Sequence, residues 1–193
     1  MFNLVLGTHN AKKLAELRAL LPAEVIELHS LAEIDGAIEV AETGTTFQEN
    51  AALKATVQAR HLGRWVLAED SGISVDALDG RPGVFSARFA GAGSDDDANN
   101  TRLLKELAGV SEEQRGAHYT CQLCLADPAG KVRLEETGTC RGRIALERRG
   151  DSGFGYDPFF LIPEYHQTFA QLGPVVKQAI SHRARALRAF LPK

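Results

Sequence analysis

Apolar residues recur along the chain at two spacings, and the first half alternates between them. The short apolar runs "NLVLGT", "VIELHSL" and "WVLAED" predict three buried strands. Between them, "AKKLAELRALL" and "TTFQENAALKATVQARHLG" place apolar residues at helical spacing, so two helices are predicted. Thr45 or Thr46 is suited to cap the second helix, and Gly63 is suited to end it.

The second half of the chain predicts further elements. "DANNTRLLKELAGV" predicts a helix that begins with acidic residues, "AHYTCQLCLAD" and "KVRLEETGTCRGRI" predict strands, and "SHRARALRAFL" predicts a helix capped by Ser181. The segment from Ser71 to Asn99 is predicted to be rich in loops. Since repeats and linkers are not evident, residues 1–193 are predicted to form one α/β or α+β domain with a mixed sheet.

Composition narrows the classes of protein that the chain can belong to. It has 193 residues, a hydrophobic fraction of 44% and a net charge of −3, which is typical of a folded globular domain. The charge gives no bulk attraction for nucleic acid, and the first apolar run is too short to span a bilayer. We therefore expect a cytoplasmic protein without a nucleic-acid or membrane partner.

Three cysteines allow a redox pair or half of a zinc site at Cys121-x-x-Cys124. Residues three apart on a strand face opposite sides, however, and no second Cys/His pair follows at a suitable spacing. The interpretation we favour is that these cysteines fill the core.

Glu69 and Asp70 end an apolar run and are followed at once by Ser71-Gly72. Adjacent like charges are unfavourable unless something positive lies close to them. Carboxylates at a strand end suit a Mg²⁺ site beside a phosphate, and the alternative is a turn in which Asp70 accepts a hydrogen bond from the Gly72 N–H. At this point both interpretations stay open.

Basic and aromatic residues elsewhere allow two interpretations each. Lys12 and Lys13 fall in the first turn of a helix, where free N–H groups favour an anion, but they also suit a solvated surface. Lys54 either reaches into a cleft or extends along apolar surface. The stretch "SGFGYDPFF" suits stacking on a nucleobase or a glycine-rich turn beside core aromatics. Basic residues at a helix start, as in "SHRARAL", oppose the helix dipole, which indicates either an anion or an acceptor-rich ligand beside them, or exposure of these side chains to solvent.

Five motifs taken in order resemble the inosine triphosphate pyrophosphatase family of bacterial type: "GTHNAKKLAEL", "ETGTTFQENAALKA", "EDSGISVDALDGRPGVFSARFAG", "GFGYDPFF" and "SHRARAL". The resemblance covers nearly the whole chain. It implies an α/β fold with an elongated mixed sheet and flanking helices, in which two lobes surround a central nucleotide-binding cleft, and a homodimer. It also implies Mg²⁺-assisted hydrolysis of ITP, dITP and XTP to the monophosphate and pyrophosphate, which cleanses the nucleotide pool.

The resemblance also implies roles for particular residues. Asp70 is expected to be catalytic and to orient or deprotonate a water that attacks the α-phosphorus. The expected metal ligands are Asp70, Glu69 and Glu42, although Ala41 stands where relatives often have a second acidic residue. His9 also stands where a glycine is frequent. Substrate contacts are expected from Thr8, His9, Asn10, Ala11, Lys12, Lys13, Lys54, Ser71, Phe154, Gly155, Tyr156, Asp157, Lys177, His182 and Arg183.

Within that set, the loop from Thr8 to Lys13, together with Lys54 and Lys177, is expected to bind the triphosphate. Residues 154–157, His182 and Arg183 are expected to form the base pocket. Two other functions compete with this one: a related pyrophosphatase that acts on pyrimidine or methylated nucleotides, and a nucleotide sensor without turnover. The Glu69–Asp70 pair favours an enzyme, because a pure triphosphate binder gains nothing from added negative charge.

Overall fold

A computed structural model describes residues 1–191 as a mixed α/β fold. Its strands are β1 (Phe2–Leu6), β2 (Ile26–Ser30), β3 (Val66–Val75), β4 (Gly116–Ala126), β5 (Val132–Ile144), β6 (Phe160–Ile162) and β7 (Gln167–Thr168). Its α-helices are α1 (Ala11–Arg18), α2 (Phe47–Leu62), α3 (Asp96–Glu106), α4 (Phe169–Ile180) and α5 (His182–Phe190).

The seven strands form one open sheet in the order β2-β1-β3-β4-β5-β6-β7. β1 pairs in parallel with both β2 and β3, whereas β5 with β6 and β6 with β7 pair antiparallel. The predicted mixed sheet with flanking helices is confirmed. Over the described residues, no helix has the length and apolar character that crossing a membrane requires.

The chain divides into two compact units, of which unit 1 comprises residues 1–70, residues 121–138 and the described residues from Arg183 onward. Successive residues of β3 face opposite sides of the sheet. Leu67 packs with Leu17 and Leu187, whereas Ala68 packs with Ala51 and Ala55. Helices α1 and α5 therefore contribute to one apolar cluster of this unit, and α2 contributes to the other.

Unit 2 comprises residues 71–120 and 139–182. Its core combines Ile73 of β3 and Leu103 of α3 with an aromatic group. The ring centroid of Phe160 lies 4.7 Å from that of Tyr119 and 5.1 Å from that of Phe169. These tilted and edge-on contacts are the preferred geometry for buried aromatic rings.

A loop-rich segment was predicted to begin at Ser71. The start of that prediction is wrong, because β3 continues through Ser71 to Val75. Gly72 stands in the strand because a Cβ there would lie 2.4 Å from Ser86 Oγ and 2.6 Å from the Gly83 carbonyl oxygen. The glycine serves a close approach of two backbone segments rather than a turn.

Helix α4 was not predicted, because Gly173-Pro174 interrupts its pattern. Gly173 has φ 72° and marks a kink inside the helix. The cysteine prediction is confirmed, since Cys121, Cys124 and Cys140 are all buried. Cys121 and Cys124 belong to the two different clusters of unit 1.

Candidate active site

Glu69 is fully buried in unit 1 and lies between two cations. Arg183 donates from Nε to Glu69 Oε2 at 2.6 Å and from Nη2 to Oε1 at 3.0 Å, and Lys13 Nζ lies 3.0 Å from Oε1. Burial acts to raise the pKa of Glu69, but Arg183 and Lys13 outweigh it and hold that pKa well below its usual range. Glu69 therefore carries a negative charge at neutral pH.

Asp70 contacts a different set of groups, all contributed by unit 1. Lys54 Nζ donates to Asp70 Oδ1 at 3.1 Å, and Asn50 Nδ2 donates to Oδ2 at 3.2 Å. Burial raises the pKa of Asp70; Lys54 opposes that effect and Glu42 adds to it. The positive partners of the acidic pair are therefore protein side chains, Arg183 and Lys13 for Glu69 and Lys54 for Asp70.

Helix α2 positions two of these partners because Asn50 and Lys54 are four residues apart and share a face. Thr46 caps the helix, with the Glu49 carboxylate accepting from the Thr46 N–H in a capping box, and Gly63 ends it in a left-handed conformation, as predicted. Asn50 is fully buried.

Asn50 joins two parts of the site. Its Oδ1 accepts from the Gly44 N–H at 2.8 Å while its Nδ2 donates to Asp70. A Cβ at Gly44 would lie 2.6 Å from Glu49 Cβ, so the segment that carries Glu42 packs directly on α2. Asn50 therefore fixes Asp70 and the Glu42 segment relative to each other.

Glu42 and Asp70 fit a hard divalent cation, because oxygens from two separate elements already share one positive charge. Lys54 Nζ lies 2.7 Å from Glu42 Oε1 and 3.1 Å from Asp70 Oδ1. Mg²⁺ in proteins is typically held by one or two carboxylates, with water and phosphate completing its shell. Across residues 1–191, no group of three or more His, Cys, Asp or Glu side chains is arranged to hold a metal.

Glu69 was predicted to be a metal ligand, but its contacts favour a different role, that of a partner for basic side chains. Both of its oxygens accept from Arg183, and Lys13 contacts one of them. In this arrangement Glu69 holds Lys13, the lysine expected at the triphosphate.

Side chains of the loop before α1 accept hydrogen bonds from the backbone N–H groups at the N-terminus of this helix. Asn10 Oδ1 accepts from the backbone N–H groups of Lys12 and Lys13 at 3.0 and 3.1 Å, and Thr8 Oγ1 accepts from the Asn10 N–H at 3.2 Å. Thr8 is half-buried, while His9 to Lys12 are exposed. The phosphate-binding role of this loop stays a prediction.

In unit 2, Asp157 organises the "GFGYDPFF" segment. Its Oδ2 accepts from the Phe154 N–H at 2.9 Å and from Lys177 Nζ at 2.5 Å. Lys177 Nζ also lies 4.7 Å from the centroid of the Phe154 ring, within range of a cation–π contact. Lys177, expected at the triphosphate, therefore pairs with residues expected at the base.

Helix α3 supports the same segment, which sequence reasoning did not detect. The Gly155 N–H donates to Asp96 Oδ2 at 2.8 Å, and the Gly155 carbonyl accepts from Asn100 Nδ2 at 2.9 Å. Gly155 has φ 60°, a conformation that glycine adopts without steric cost. An acidic residue at the start of a helix was the only signal for Asp96, and the helix dipole explained it equally well.

Two other residues expected in the base pocket are deeply buried within unit 2. The Tyr156 hydroxyl donates to the Ser86 carbonyl at 2.8 Å, and burial raises the pKa of this phenol. The His182 ring stacks on Tyr119, with centroids 4.6 Å apart and an interplanar angle of 9°. These contacts hold both side chains in fixed orientations.

Arg183 lies in unit 1, where it donates to Glu69 and also to Glu16. Its side chain is only 2% exposed. The basic residue at the start of α5 is therefore balanced by carboxylates of the chain itself.

Comparisons of the whole chain with known proteins identify one family of relatives. The Ham1 family model matches residues 4–193. A dITP/XTP pyrophosphatase of Rhodopirellula baltica is 64% identical over 193 residues, which cover 100% of this chain and 93% of that protein. A dITP/XTP pyrophosphatase of an Exiguobacterium species is 50% identical over 185 residues, with coverage of 96% and 93%.

Solved structures agree with the sequence relatives. A HAM1 protein from Coxiella burnetii superposes with a TM-score of 0.89 at 38% identity, covering 98% of this chain and 96% of that chain. A nucleoside-triphosphatase / dITP/XTP pyrophosphatase from Mycobacterium abscessus superposes with a TM-score of 0.80 at 42% identity over the whole of both chains.

Proposed function

The chain belongs to the Ham1 family, and on that premise we propose that it is a pyrophosphatase that converts non-canonical purine nucleoside triphosphates to the monophosphate and pyrophosphate. ITP, dITP and XTP are the proposed substrates. The observation that carries the proposal is the charge cluster of unit 1, in which Lys13 and Lys54 lie beside paired carboxylates. We propose a homodimer in the cytoplasm that cleanses the nucleotide pool.

The triphosphate end of the substrate is assigned to Lys13, Lys54 and the loop from Thr8 to Lys12. Phosphoryl transfer needs mainly positioning and neutralisation of charge, which ammonium groups and backbone N–H groups supply. Glu69 contributes by holding the Lys13 ammonium, and Arg183 pairs with the same Glu69 carboxylate.

Asp70 is assigned as the residue that orients or deprotonates the water attacking the α-phosphorus, with pyrophosphate as the leaving group. Its raised pKa supports this role, because a carboxylate base works better as its pKa approaches the working pH. Glu42 and Asp70 are assigned as the ligands of Mg²⁺, with Ser71 next along β3 as a substrate contact. Bound Mg²⁺ would add positive charge at the phosphates and make a coordinated water more acidic.

Recognition of the base is assigned to Phe154, Gly155, Tyr156, Asp157 and His182, with Lys177 held beside them by Asp157. Hydrogen bonds matched to a 6-oxo group would leave buried polar groups mispaired when adenine binds, which discriminates strongly. For Arg183 the buried pairing with Glu69 supports a positioning role instead.

A turnover panel tests the function. Pyrophosphate release with Mg²⁺ is measured for ITP, dITP, XTP, GTP, dUTP and dTTP under one set of conditions. We expect kcat/KM for ITP, dITP and XTP to exceed the others by two orders of magnitude or more. Preference for dUTP or dTTP would instead assign the enzyme to pyrimidine nucleotides, and binding of ITP without pyrophosphate release would make the protein a sensor.

A further inference from the structure

Lys54 occupies an unusual position for a residue assigned to phosphate binding. Its ammonium lies between Glu42 Oε1 at 2.7 Å and Asp70 Oδ1 at 3.1 Å. The side chains of Lys54, Glu42 and Asp70 are only 12%, 29% and 8% exposed, so water screens these charges poorly. One compact cation thus joins the same two carboxylates that are suited to Mg²⁺.

Electrostatics makes the ammonium and a divalent cation alternatives at this place. Two carboxylates in a partly buried site repel each other unless a positive charge lies between them. The ammonium supplies one positive charge for two negative ones, whereas Mg²⁺ would supply two and would take carboxylate oxygens of the same pair as ligands. Because the Lys54 ammonium already contacts one oxygen of each carboxylate, a divalent cation drawn to the same pair is repelled by it, and the two cations compete for the same negative charge.

We propose that Lys54 is an internal counter-ion that competes with the divalent cation for Glu42 and Asp70. This inference rests on the proposed metal-assisted function. Without a metal, Lys54 holds the two carboxylates near each other. When a divalent cation binds, the ammonium is displaced and becomes available to a phosphate of the substrate. Metal and triphosphate therefore favour each other's binding, because the displaced ammonium needs a new anionic partner.

Asn50 allows this exchange without loss of the site. It donates to Asp70 Oδ2, the oxygen that Lys54 does not contact, and accepts from the Gly44 N–H two residues after Glu42. Asp70 and the Glu42 segment thus keep a common anchor when the ammonium leaves. Lys54 and the divalent cation therefore compete only for the position of the positive charge between Glu42 and Asp70.

The experiment measures Mn²⁺ affinity on the full chain without nucleotide, by the electron paramagnetic resonance signal of free Mn²⁺. Lys54→Met is expected to bind Mn²⁺ about tenfold more tightly than wild type, because a unit positive charge has left the site. Lys131→Met is the matched control, since Lys131 is an exposed residue of unit 1, and its affinity is expected to equal that of wild type. Equal or weaker Mn²⁺ binding by Lys54→Met would overturn the proposal.

Two further variants keep the test decisive. Lys54→Arg retains the charge and is expected to bind Mn²⁺ no more tightly than wild type. The double variant Lys54→Met/Glu42→Gln is expected to lose the gain, which locates it at these carboxylates. Should Lys54→Met not fold, Lys54→Gln takes its place with the same expected gain.

Separate readouts distinguish this inference from the proposed function. Absence of pyrophosphate release from wild type with ITP would refute the function, whereas the Mn²⁺ affinities address only the exchange of cations. If neither wild type nor the charge-removing variants bind Mn²⁺, the competition is refuted, whatever the turnover.

Discussion

Glu69 and Asp70 are adjacent residues with opposite electrostatic environments. The strand alternation that separates Leu67 from Ala68 also separates the carboxylates, so each finds cations on its own side of the sheet. Glu69 is stabilised in its charged form, whereas burial disfavours the charge of Asp70. One residue therefore supports the fold and the other is suited to chemistry.

Asp70→Asn is predicted to lower ITP turnover by about 10²- to 10⁴-fold, the usual contribution of a catalytic base. Stability should be kept or raised at neutral pH. The pKa of Asp70 is raised in the folded protein, so above the ordinary pKa of 3.8 its ionisation lowers the free energy of unfolding. Asparagine carries no charge and avoids this loss. Pyrophosphate release and the Tm measure the two effects. Turnover within threefold of wild type would remove Asp70 from catalysis.

Glu69→Gln is predicted to reduce the free energy of unfolding by about 3–5 kcal/mol at pH 7, because it leaves the Arg183 guanidinium buried beside a neutral amide. It should also raise KM for ITP, since Lys13 loses the carboxylate that holds it.

The pH dependence of this difference follows from the lowered pKa of Glu69. The stability contributed by the carboxylate is complete above its ordinary pKa of 4.5 and is lost as the pH falls toward the lower value in the fold. Urea unfolding of both proteins between pH 7 and pH 3 measures it. The difference should be constant down to about pH 5 and shrink below pH 4.5; a constant difference throughout would contradict the assignment.

Elements whose signals are local were predictable from the sequence. The period of the apolar residues and the Thr46 and Gly63 caps define α2 to within a residue or two. The extension of β3 and the whole of α4 were not predictable, because Gly72 and Gly173-Pro174 are typical of turns. What keeps Gly72 in a strand is the backbone near Ser86, more than ten residues further along the chain.

The candidate site also combines features with a local sequence signal and features that depend on distant residues. The motif residues could be listed from the sequence, but Arg183 and Glu69 are 114 positions apart, so their pairing had no local signal. The burial of Asn50 had no local signal either, since a helix pattern does not show which polar residue is buried against a strand.

Gly72→Ala is predicted to destabilise the protein by about 1–3 kcal/mol, the usual cost of forcing an extra methyl group into packed structure. The methyl group would meet Ser86 Oγ, which accepts from the Ile73 N–H, and the Gly83 carbonyl oxygen, which belongs to the backbone. Urea unfolding measures the loss. A change below 0.5 kcal/mol in absolute value, the range of neutral surface substitutions, would show that β3 does not need a glycine here.

At the scale of the whole molecule, unit 1 is assembled from three separate stretches of chain. Helix α5 supplies Arg183 to Glu69, and Ala186, Leu187 and Phe190 to the apolar cluster. The second stretch, residues 121–138, supplies Cys121 and Leu123 to the same cluster. Each stretch therefore depends on partners that lie far away in the sequence.

A chain that stops at residue 182 is predicted to lose the cooperative unfolding of unit 1. It keeps Lys13 beside Glu69 but lacks the guanidinium and the buried face of α5. Hydrogen exchange should show loss of protection in β1 and α1 relative to the full chain. Native protection of those elements in the shortened chain would contradict the dependence on α5.

Discontinuity of unit 1 has a consequence for synthesis on the ribosome, which delivers the chain from its N-terminus. At about 5–20 residues per second, Arg183 follows Glu69 out of the exit tunnel on the order of ten seconds later. Throughout that interval Lys13 is present to pair with Glu69, but the guanidinium that contacts both oxygens of this carboxylate is not. A polypeptide cut short upstream of α5 is therefore expected to leave Glu69 and its apolar cluster incompletely covered, and so to be cleaved by proteases more readily than the chain that includes α5.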